Sequence, residues 1–436
     1  MLDSDSIFLR FNLPNATSWF YFSLLLAVAI FFKFSRLLSV RNLDVLTLFL
    51  LVPGLLLLQE SHRSRLAYLW LLGGSGWFLA RCLFDLTLVR RPALNPNLNF
   101  GGLAWLAGAL FVCLVVVALR PGERPAEPAA REPPLIQRTQ QEVEKLVPPK
   151  PPAGDAADFD AALWARRILA IACHLAIVLG LMVVGWRHFQ NPHAGMAAAT
   201  FYLLLPYTAM DIRQWHYAWP MALTVWAVAA YRRPTLAGLL LGLAAGTVYF
   251  PLLIVPVWLS FYRGRGAGRF AGAFTLVAGL CLAALWLSDD LFRGLQQALA
   301  VPDWQPWRLE PIVNSEGVWR DIHWAYRMPV FIAYLTFVVA TAFWPTPKNL
   351  GHVLALSAAA LIGMQFWYAD RGGMYVLWYL PLLLLLVFRP NLSDRLPPAV
   401  QPETDWLHRL GRALARLAQR GFRLLLPVPP SPAGRR

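Results

Sequence analysis

Four polar side chains that could take part in catalysis lie close together in the middle of the chain, between two apolar runs. They are Asp211, Arg213, Gln214 and His216, in the segment PYTAMDIRQWHYAWP. Hydrocarbon does not tolerate such residues unless they face water or protein, which predicts that the segment lies at a membrane edge. Carboxylates can act as general bases and guanidinium groups can hold anionic charge, so these residue types could serve acid–base chemistry.

A second group of candidates lies in the segment 289–326, where six acidic residues and three arginines are interleaved with tryptophans. Arg320, Asp321 and His323 belong to this tryptophan-rich segment. Aromatic faces bind sugar rings, and carboxylates and guanidinium groups bind hydroxyls or phosphate, so the composition favours a carbohydrate or lipid-phosphate site. The alternative is an interfacial aromatic belt, which explains the tryptophans but not the acids. The tryptophans are Trp304, Trp307, Trp319 and Trp324.

The composition indicates which elements must position these residues. Of the 436 residues, 58% are apolar and 14% charged, and apolar runs of ~20 residues, the length of a membrane-spanning helix, recur along the chain. The net charge of +15 would suit nucleic acid. The basic residues nevertheless occur in short loops and in the tail, where membrane orientation and anionic lipid explain them better. We therefore predict a polytopic membrane protein with no nucleic-acid partner.

The apolar runs predict an all-α transmembrane bundle of about 11–13 spans. Arg81 and Asp85 lie four residues apart in the third span, and Asp44 lies near the cytoplasmic end of the second span. We interpret Arg81 and Asp85 as an ion pair that locks the bundle; the alternative is an ion path. The predicted spans are 17–34, 43–58, 66–89, 101–119, 164–186, 195–210, 217–231, a broken pair at 235–262, 268–288, 328–345, 350–368 and 372–388.

Basic residues in short loops are retained on the cytoplasmic side of a membrane. Placing Lys33, Arg36 and Arg41 inside makes the N-terminus external, and the alternation of spans then puts the later basic loops and the C-terminus inside. Arg63 and Arg65 are the exception, because this scheme leaves them outside. The expected location is a cytoplasmic membrane, with the tryptophan-rich segment at its outer face and Asp370 and Arg371 in the last outer loop.

The apolar stretch 235–262 has arginine clusters at both ends, so both ends should be cytoplasmic. Two arms of about 14 residues, joined near Thr247 to Pro251, satisfy this but are each too short for a full span. We therefore predict a broken or re-entrant helix pair, which is allowed at membrane depth where its backbone is buried in protein or lines a wet cavity. Gly238, Gly242 and Gly246 lie four residues apart on the first arm, a spacing that permits close helix packing.

Four regions are predicted along the chain. In the linker, IQRTQQEVEKL is expected to form a short surface helix. In the tail, the leucines and arginines of 403–426 separate onto two helix faces, which predicts a helix bound to anionic lipid; a soluble helix that binds a partner is the alternative. The regions are an N-terminal four-span region at 1–119, a Pro-rich polar linker at 120–160, a transmembrane core at 161–390 and a cytoplasmic basic tail at 391–436.

No cofactor is predicted, and the need for a divalent cation stays open. His188 and His193, without a third ligand, are a poor metal site and are interpreted as solvated loop residues. The acidic start MLDSDS indicates that the first span directs insertion without a cleavable signal peptide. The four cysteines lie in apolar runs without paired spacing, which argues against metal or disulfide roles: Cys82, Cys113, Cys173 and Cys281.

One motif order is PYT…Gln214-x-His216 followed by RRPTLAGLLLGLAAGTVYFPLL. In this order the chain resembles the GT-C class of membrane glycosyltransferases, especially the polyprenol-phosphate-dependent mannosyl- and arabinosyltransferases. The resemblance covers roughly residues 164–390 and includes an Asn-Ser pair at Asn314 in a late outer loop. Family members usually carry a Lys before the Pro of the broken segment, where this chain has Tyr249. They also carry a catalytic acid in an early outer loop. Outside the linker, the early outer acids here are Asp3, Asp5 and Glu60.

The resemblance implies transfer of a sugar from a polyprenyl-phosphate donor to a glycan or lipid acceptor of the cell envelope, at the outer face. Asp211 is the leading candidate for the base, with Asp321 and Glu60 as rivals. The alternative function is a non-catalytic membrane protein of the same fold, or a carrier of lipid-linked substrate. The residues expected to contact substrate are Arg213, Gln214, His216, Asn314, Arg320 and His323.

Overall fold

The computed structural model describes residues 15–60, 65–87, 94–120, 132–147, 161–288, 316–390 and the single residue 416. Within these ranges the chain forms helices joined by short turns, with no β-strand. The predicted all-α polytopic bundle is therefore confirmed. Asn314, with the rest of the tryptophan-rich segment up to residue 315, lies outside the described residues, as does the tail 403–426 apart from residue 416.

Asparagine side chains begin several of the helices. Asn15, Asn99 and Asn349 each accept a hydrogen bond from the backbone N–H three residues on, which satisfies one of the free donors of a helix start. The helices are α1 Ala16–Phe31, α2 Val40–Thr47, α3 Val52–Glu60, α4 Arg65–Asp85, α5 Phe100–Leu119, α6 Pro134–Leu146, α7 Ala161–Arg187, α8 Pro192–Leu204, α9 Pro206–Met210, α10 Trp215–Ala229, α11 Pro234–Thr247, α12 Val255–Phe261, α13 Ala267–Trp286, α14 Met328–Phe343, α15 Leu350–Trp367 and α16 Leu380–Phe388.

Six helical stretches of the described residues are long and apolar enough to cross a membrane. Other predicted spans are shorter helices, such as α10 with 15 residues and α16 with 9. Proline explains one case, because Leu205 is extended before Pro206 and α8 therefore ends where α9 begins. The six are Val40–Gln59, Arg65–Asp85, Phe100–Leu119, Ala161–Arg187, Ala267–Trp286 and Leu350–Trp367.

Hydrogen bonds between distant segments define two ends of the bundle. At the end that we call the lower end, the Lys348 Nζ donates to the Ser260 hydroxyl at 2.7 Å, and Arg389 donates to Asp85. At the opposite, upper end, the Trp319 indole N–H donates to the carbonyl of Phe366 at 2.9 Å. α4 runs between them, and its 21 residues correspond to a length of about 31 Å.

The predicted broken helix pair is confirmed. α11 ends at Thr247, a 3-10 turn covers Phe250–Ile254, and α12 follows directly. The Tyr262 hydroxyl, just after α12, donates to the carbonyl of Tyr231, just before α11, at 2.6 Å. Both termini of the pair therefore lie at the lower end, and the break lies towards the upper end.

The glycines of α11 face α13. A Cβ atom added at Gly238 would lie 2.4 Å from the carbonyl oxygen of Phe270, and one at Gly242 would lie 2.7 Å from that of Phe274. No side chain fits at either position without a shift of the backbone. The three-residue gaps between glycines let the two helices approach closely, so their role is helix packing.

A cluster of three buried charges and the half-buried Arg389 joins the N-terminal helices to the last helix at the lower end. Arg81 donates to Asp44 at 2.6 and 2.9 Å and to Asp85 at 3.2 Å, and Arg389 also donates to Asp85. The predicted pair of Arg81 and Asp85 is thus confirmed and is part of a larger set that includes Asp44 and Arg389. Its position between α2, α4 and α16 favours the interpretation as a lock.

Candidate functional site

A polar cleft at the upper end brings together two distant parts of the chain. Its volume is about 270 Å³. Arg65 and Tyr68 contribute from the first turn of α4, and the loop before α14 supplies the rest, so two carboxylates and two guanidinium groups line one cleft. The lining residues are Arg65, Tyr68, Glu316, Gly317, Arg320, Asp321 and Ile322.

Glu316 is held in place by the loop between α15 and α16. The Arg371 Nε donates to the Glu316 carboxylate at 2.8 Å, and the Arg371 backbone N–H donates to the Glu316 carbonyl at 2.5 Å. The Asp370 carboxylate accepts a hydrogen bond from the Glu316 backbone N–H at 3.0 Å. These contacts fix both the backbone and the carboxylate, so Glu316 is a positioned, charge-paired group.

Asp321 is the more accessible carboxylate of the cleft. Its side chain is 70% exposed, and the Arg320 Nε lies 3.4 Å from one of its oxygens. The backbone of Asp321 is left-handed, with φ of 58°, and Arg371 has φ of 51°. Aspartate tolerates this conformation better than most residues, whereas arginine does not. Such strained positions occur preferentially at functional sites.

An aromatic cluster adjoins the cleft through the loop that holds Glu316. The Trp378 ring lies between those of Phe250 and Tyr375, with centroids 4.0 and 4.1 Å away in stacked arrangements. The Tyr375 hydroxyl donates to the carbonyl of Asp370 at 3.2 Å. The break of the helix pair, which contains Phe250, is therefore linked to Glu316 indirectly, through Trp378, Tyr375 and Asp370. The cluster consists of Tyr217, Tyr249, Phe250, Tyr368, Tyr375 and Trp378.

The predicted segment around Asp211 lies beside this cluster. Asp211 ends α9 and its carbonyl accepts the Gln214 backbone N–H at 2.9 Å; it is not among the cleft-lining residues. The Arg213 side chain donates to the carbonyl of Arg120, at 3.4 Å. His216 is buried, and its ring centroid lies 4.4 Å from that of Tyr217 in the aromatic cluster.

The remaining predicted residues are divided between the cleft and its edge. Arg320 and Asp321 line the cleft. His323 follows two residues later, and its Nδ1 accepts the Ala325 backbone N–H at 3.3 Å. The side chain of Glu60 lies outside the described residues, as Asn314 does.

Among the described residues, no group of three or more His, Cys, Asp or Glu side chains is arranged to hold a metal ion. The interpretation of both loop histidines as solvated is wrong for His188. That side chain is half-buried, and its Nε2 is hydrogen-bonded to the carbonyl of Ala229 at 2.6 Å. The Nε2 of His193 is hydrogen-bonded to the carbonyl of Leu98 at 2.9 Å.

Two charged residues of the cleft, Arg65 and Glu316, were not among the predicted site residues. One signal in the sequence could have identified Arg65: the predicted topology leaves it outside, whereas basic residues in short loops are normally retained on the cytoplasmic side. Glu316 carried no separate signal, because its position depends on contacts with a loop more than 50 residues later.

Neither family models, curated proteins nor solved structures give a match to the chain.

Proposed function

We propose that the chain is a membrane glycosyltransferase that moves a sugar from a polyprenyl-phosphate donor to an envelope acceptor. The observation that carries this proposal is the cleft, where carboxylates and guanidinium groups meet at one end of a transmembrane bundle. Sugar transfer from a phosphate donor needs both, a base for the acceptor and cations for the leaving group. In the adjoining aromatic cluster, the rings of Tyr217, Tyr249 and Tyr368 are half-buried and are the candidates to contact a sugar ring.

Asp321 takes the role of base in this proposal, in place of Asp211, because its carboxylate is accessible in the cleft. It removes the proton of the acceptor hydroxyl while the hydroxyl oxygen forms a bond to the anomeric carbon. The bond between that carbon and the phosphate oxygen breaks, and the phosphate leaves with the electron pair. Arg65 and Arg320 bind the charge of the released phosphate.

The upper end is the extracytoplasmic end in this proposal. Support comes from the basic residues of the lower end, which is the pattern of cytoplasmic retention. A lipid-linked donor can reach a cleft at this end from within the bilayer. Basic residues on lower-end turns are Arg187, Arg232, Arg263, Arg265, Lys348 and Arg389.

Replacement of single carboxylates tests the proposal. Cell-envelope glycans are profiled by mass spectrometry in cells whose only copy is wild type, Asp321→Asn, Asp211→Asn or Glu142→Gln. Asp321→Asn should remove the glycan that depends on this protein, since asparagine fits the left-handed backbone but cannot accept the proton. Glu142→Gln is the matched control, because the Glu142 side chain is 70% exposed on α6 and is not part of the cleft.

Two outcomes would redirect the proposal. If Asp211→Asn removes the glycan and Asp321→Asn does not, the base is Asp211 and the cleft is not the reaction site. If neither replacement changes the profile at normal protein levels, neither carboxylate is catalytic, and the chain acts as a carrier or non-catalytic protein of the same fold.

A further inference from the structure

Two turns at the lower end bring five arginines together. The Tyr262 hydroxyl in the second turn donates to the carbonyl of Tyr231 in the first, at 2.6 Å. A Cβ atom added at Gly266 would lie 2.9 Å from Pro234, the first residue of α11, and 2.9 Å from the Arg269 guanidinium. The start of α13 and its arginine therefore lie against the start of α11. We call the five the arginine cluster: Arg232 and Arg233 before α11, Arg263 and Arg265 before α13, and Arg269 in the first turn of α13.

Most of the positive charge of the arginine cluster is not paired within the described chain. None of its four arginines outside α13 forms a salt bridge with a described residue, and three of these four are exposed. At the same end, the carboxylates of Asp44 and Asp85 are buried and already paired with Arg81 and Arg389. Like charges this close repel one another, so the cluster attracts an anion from outside the chain.

A buried lysine adds positive charge beside the second turn. Lys348 is 2% exposed, and its Nζ donates to the Ser260 hydroxyl at 2.7 Å and to the Pro345 carbonyl at 3.0 Å. Ser260 belongs to the end of α12, just before Tyr262 of that turn. Both acceptors are neutral, so these hydrogen bonds hold the ammonium group without cancelling its charge. The lower surface around the two turns therefore carries a positive potential.

An apolar helix surface begins directly at the arginine cluster. One face of α13 packs on α11, and the other exposes Leu276 and Leu280, whose exposed fractions are 54% and 63%. No described atom lies within 4 Å of a Cβ added at Gly268 or Gly272, so this face is open from the first turn of the helix. A molecule with an anionic head and acyl chains would place its head at the arginines and its chains along α13.

We infer that the arginine cluster binds the headgroup of an anionic phospholipid from the membrane leaflet around the lower end. The phosphate oxygens accept charge-assisted hydrogen bonds from guanidinium groups, and the acyl chains lie against the exposed face of α13. The site lies at the opposite end of the bundle from the cleft, and its lipid is a component of the membrane and not a sugar donor. The inference therefore goes beyond the proposed function and does not depend on it. Soluble phosphates share the headgroup chemistry, so the experiment separates the two sources.

Lipid binding to the purified full chain in a neutral detergent tests the inference, with native mass spectrometry as the readout. The probes are dioctanoyl phosphatidylglycerol, dioctanoyl phosphatidylcholine and glycerol phosphate. Wild type should bind phosphatidylglycerol at least about 10-fold more tightly than phosphatidylcholine, which has no net charge. The triple variant Arg263→Gln, Arg265→Gln, Arg269→Gln should lose most of this preference. The corresponding triple lysine variant should keep more of it, because lysine keeps the charge.

The tail provides a matched control, because it is the other basic segment for which the sequence predicts lipid binding. Arg409→Gln, Arg412→Gln and Arg416→Gln together remove the same charge from it. This tail variant should bind phosphatidylglycerol more nearly as wild type does than the cluster variant does. If the tail variant loses the preference and a folded cluster variant keeps it, the lipid binds the tail and the inference is wrong. Equal binding of the two lipids to wild type, or glycerol phosphate that binds as tightly as phosphatidylglycerol, would also overturn it.

Hydrogen exchange of the wild-type protein provides a test that needs no variant. In nanodiscs of phosphatidylglycerol, exchange in residues 231–236 and 262–270 should be slower than in nanodiscs of phosphatidylcholine, while residues 316–322 of the cleft should exchange alike in both. The difference should shrink in high salt, because the contact is electrostatic. Equal exchange of the two turns in both lipids would contradict a lipid site at the arginine cluster.

Discussion

Arg389, the residue that follows α16, donates a hydrogen bond to Asp85 at the end of α4, across 304 residues of chain. Asp85 also accepts from Arg81, which in turn binds Asp44. The first and last parts of the described bundle are thereby joined at the lower end. Each carboxylate of this set accepts a hydrogen bond from a guanidinium group, so the loss of Arg389 leaves the buried Asp85 with one counter-charge fewer.

Replacing Arg389 with glutamine should lower the free energy of unfolding by about 3 kcal/mol, because it removes one partner of a buried ion cluster. Thermal unfolding in detergent measures the effect. Arg36→Gln is the control, since Arg36 lies exposed in a lower-end turn. In the double variant with Asp85→Asn the losses should be less than additive, because both changes remove the same contact. Strictly additive losses would show that the two residues do not interact.

The packing of α11 on α13 predicts a different sensitivity at two glycines. Gly238→Ala should destabilise the protein by about 1–3 kcal/mol, because its Cβ would lie 2.4 Å from a carbonyl oxygen of α13. Gly279→Ala on α13 is the control, because nothing lies within 4 Å of its added Cβ. Alanine favours a helix over glycine, so this variant should be neutral or slightly stabilised. Equal unfolding temperatures for the two variants would rule out the close approach.

His188 predicts that stability depends on pH. Burial lowers its pKa to about 4, and Arg232 and Arg187 repel its charged form, while the hydrogen bond to Ala229 partly opposes the shift. In the unfolded chain the pKa of this histidine is near 6.5. Between pH 6.5 and 4 the histidine is therefore protonated in the unfolded chain but not in the folded protein. Stability is therefore complete above pH 6.5 and falls towards pH 4, by at most about 3 kcal/mol.

The measurement compares unfolding midpoints of wild type and His188→Gln at pH 7.5 and 4.5. Glutamine does not titrate, so the variant should lose less stability on acidification than wild type does. The same loss in both proteins would assign the pH dependence to other groups.

Features that depend on spacing within one segment were predictable from the sequence. Arg81 and Asp85 lie one helical turn apart, so their pairing required only that the segment be a helix. Likewise, Gly238 and Gly242 share one helix face whatever packs on it. The break near Thr247 followed from the basic residues at both ends of the stretch, because a single helix would place one of the two clusters on the wrong side of the membrane. Each of these needed no knowledge of the fold.

The cleft could not be predicted in the same way. It depends on Arg65 of α4 meeting a loop some 250 residues later, and on Arg371 holding Glu316. Local reasoning gave most weight to Asp211, because its segment is polar between apolar runs. Tertiary packing instead gave Asp321 the accessible position in the cleft. Contacts of this kind depend on how the helices pack against one another, and the hydrophobic periodicity of a single segment does not indicate which segments will meet.

The orientation of the bundle is tested by cysteine labelling in intact cells, in a background without the four native cysteines. Lys145→Cys lies on α6, which Gln140 ties to Arg166 near the upper start of α7. Arg263→Cys lies on a lower-end turn. An impermeant maleimide should label position 145 from outside and leave position 263 unlabelled until the cells are opened. Reversed labelling would place the cleft in the cytoplasm and remove the basis for a periplasmic or extracellular acceptor.

Consumption of donor by the purified protein tests the central claim most directly. Lipid-linked sugars extracted from the host membrane are incubated with the chain and a detergent extract of envelope acceptors, and the loss of each donor is followed by mass spectrometry. Wild type should consume one polyprenyl-phosphate sugar, and Asp321→Asn should do so at least about 100-fold more slowly, the usual contribution of a general base. Equal consumption by folded wild-type and Asp321→Asn proteins, or none by wild type with any donor in the extract, would contradict a transferase centred on this cleft.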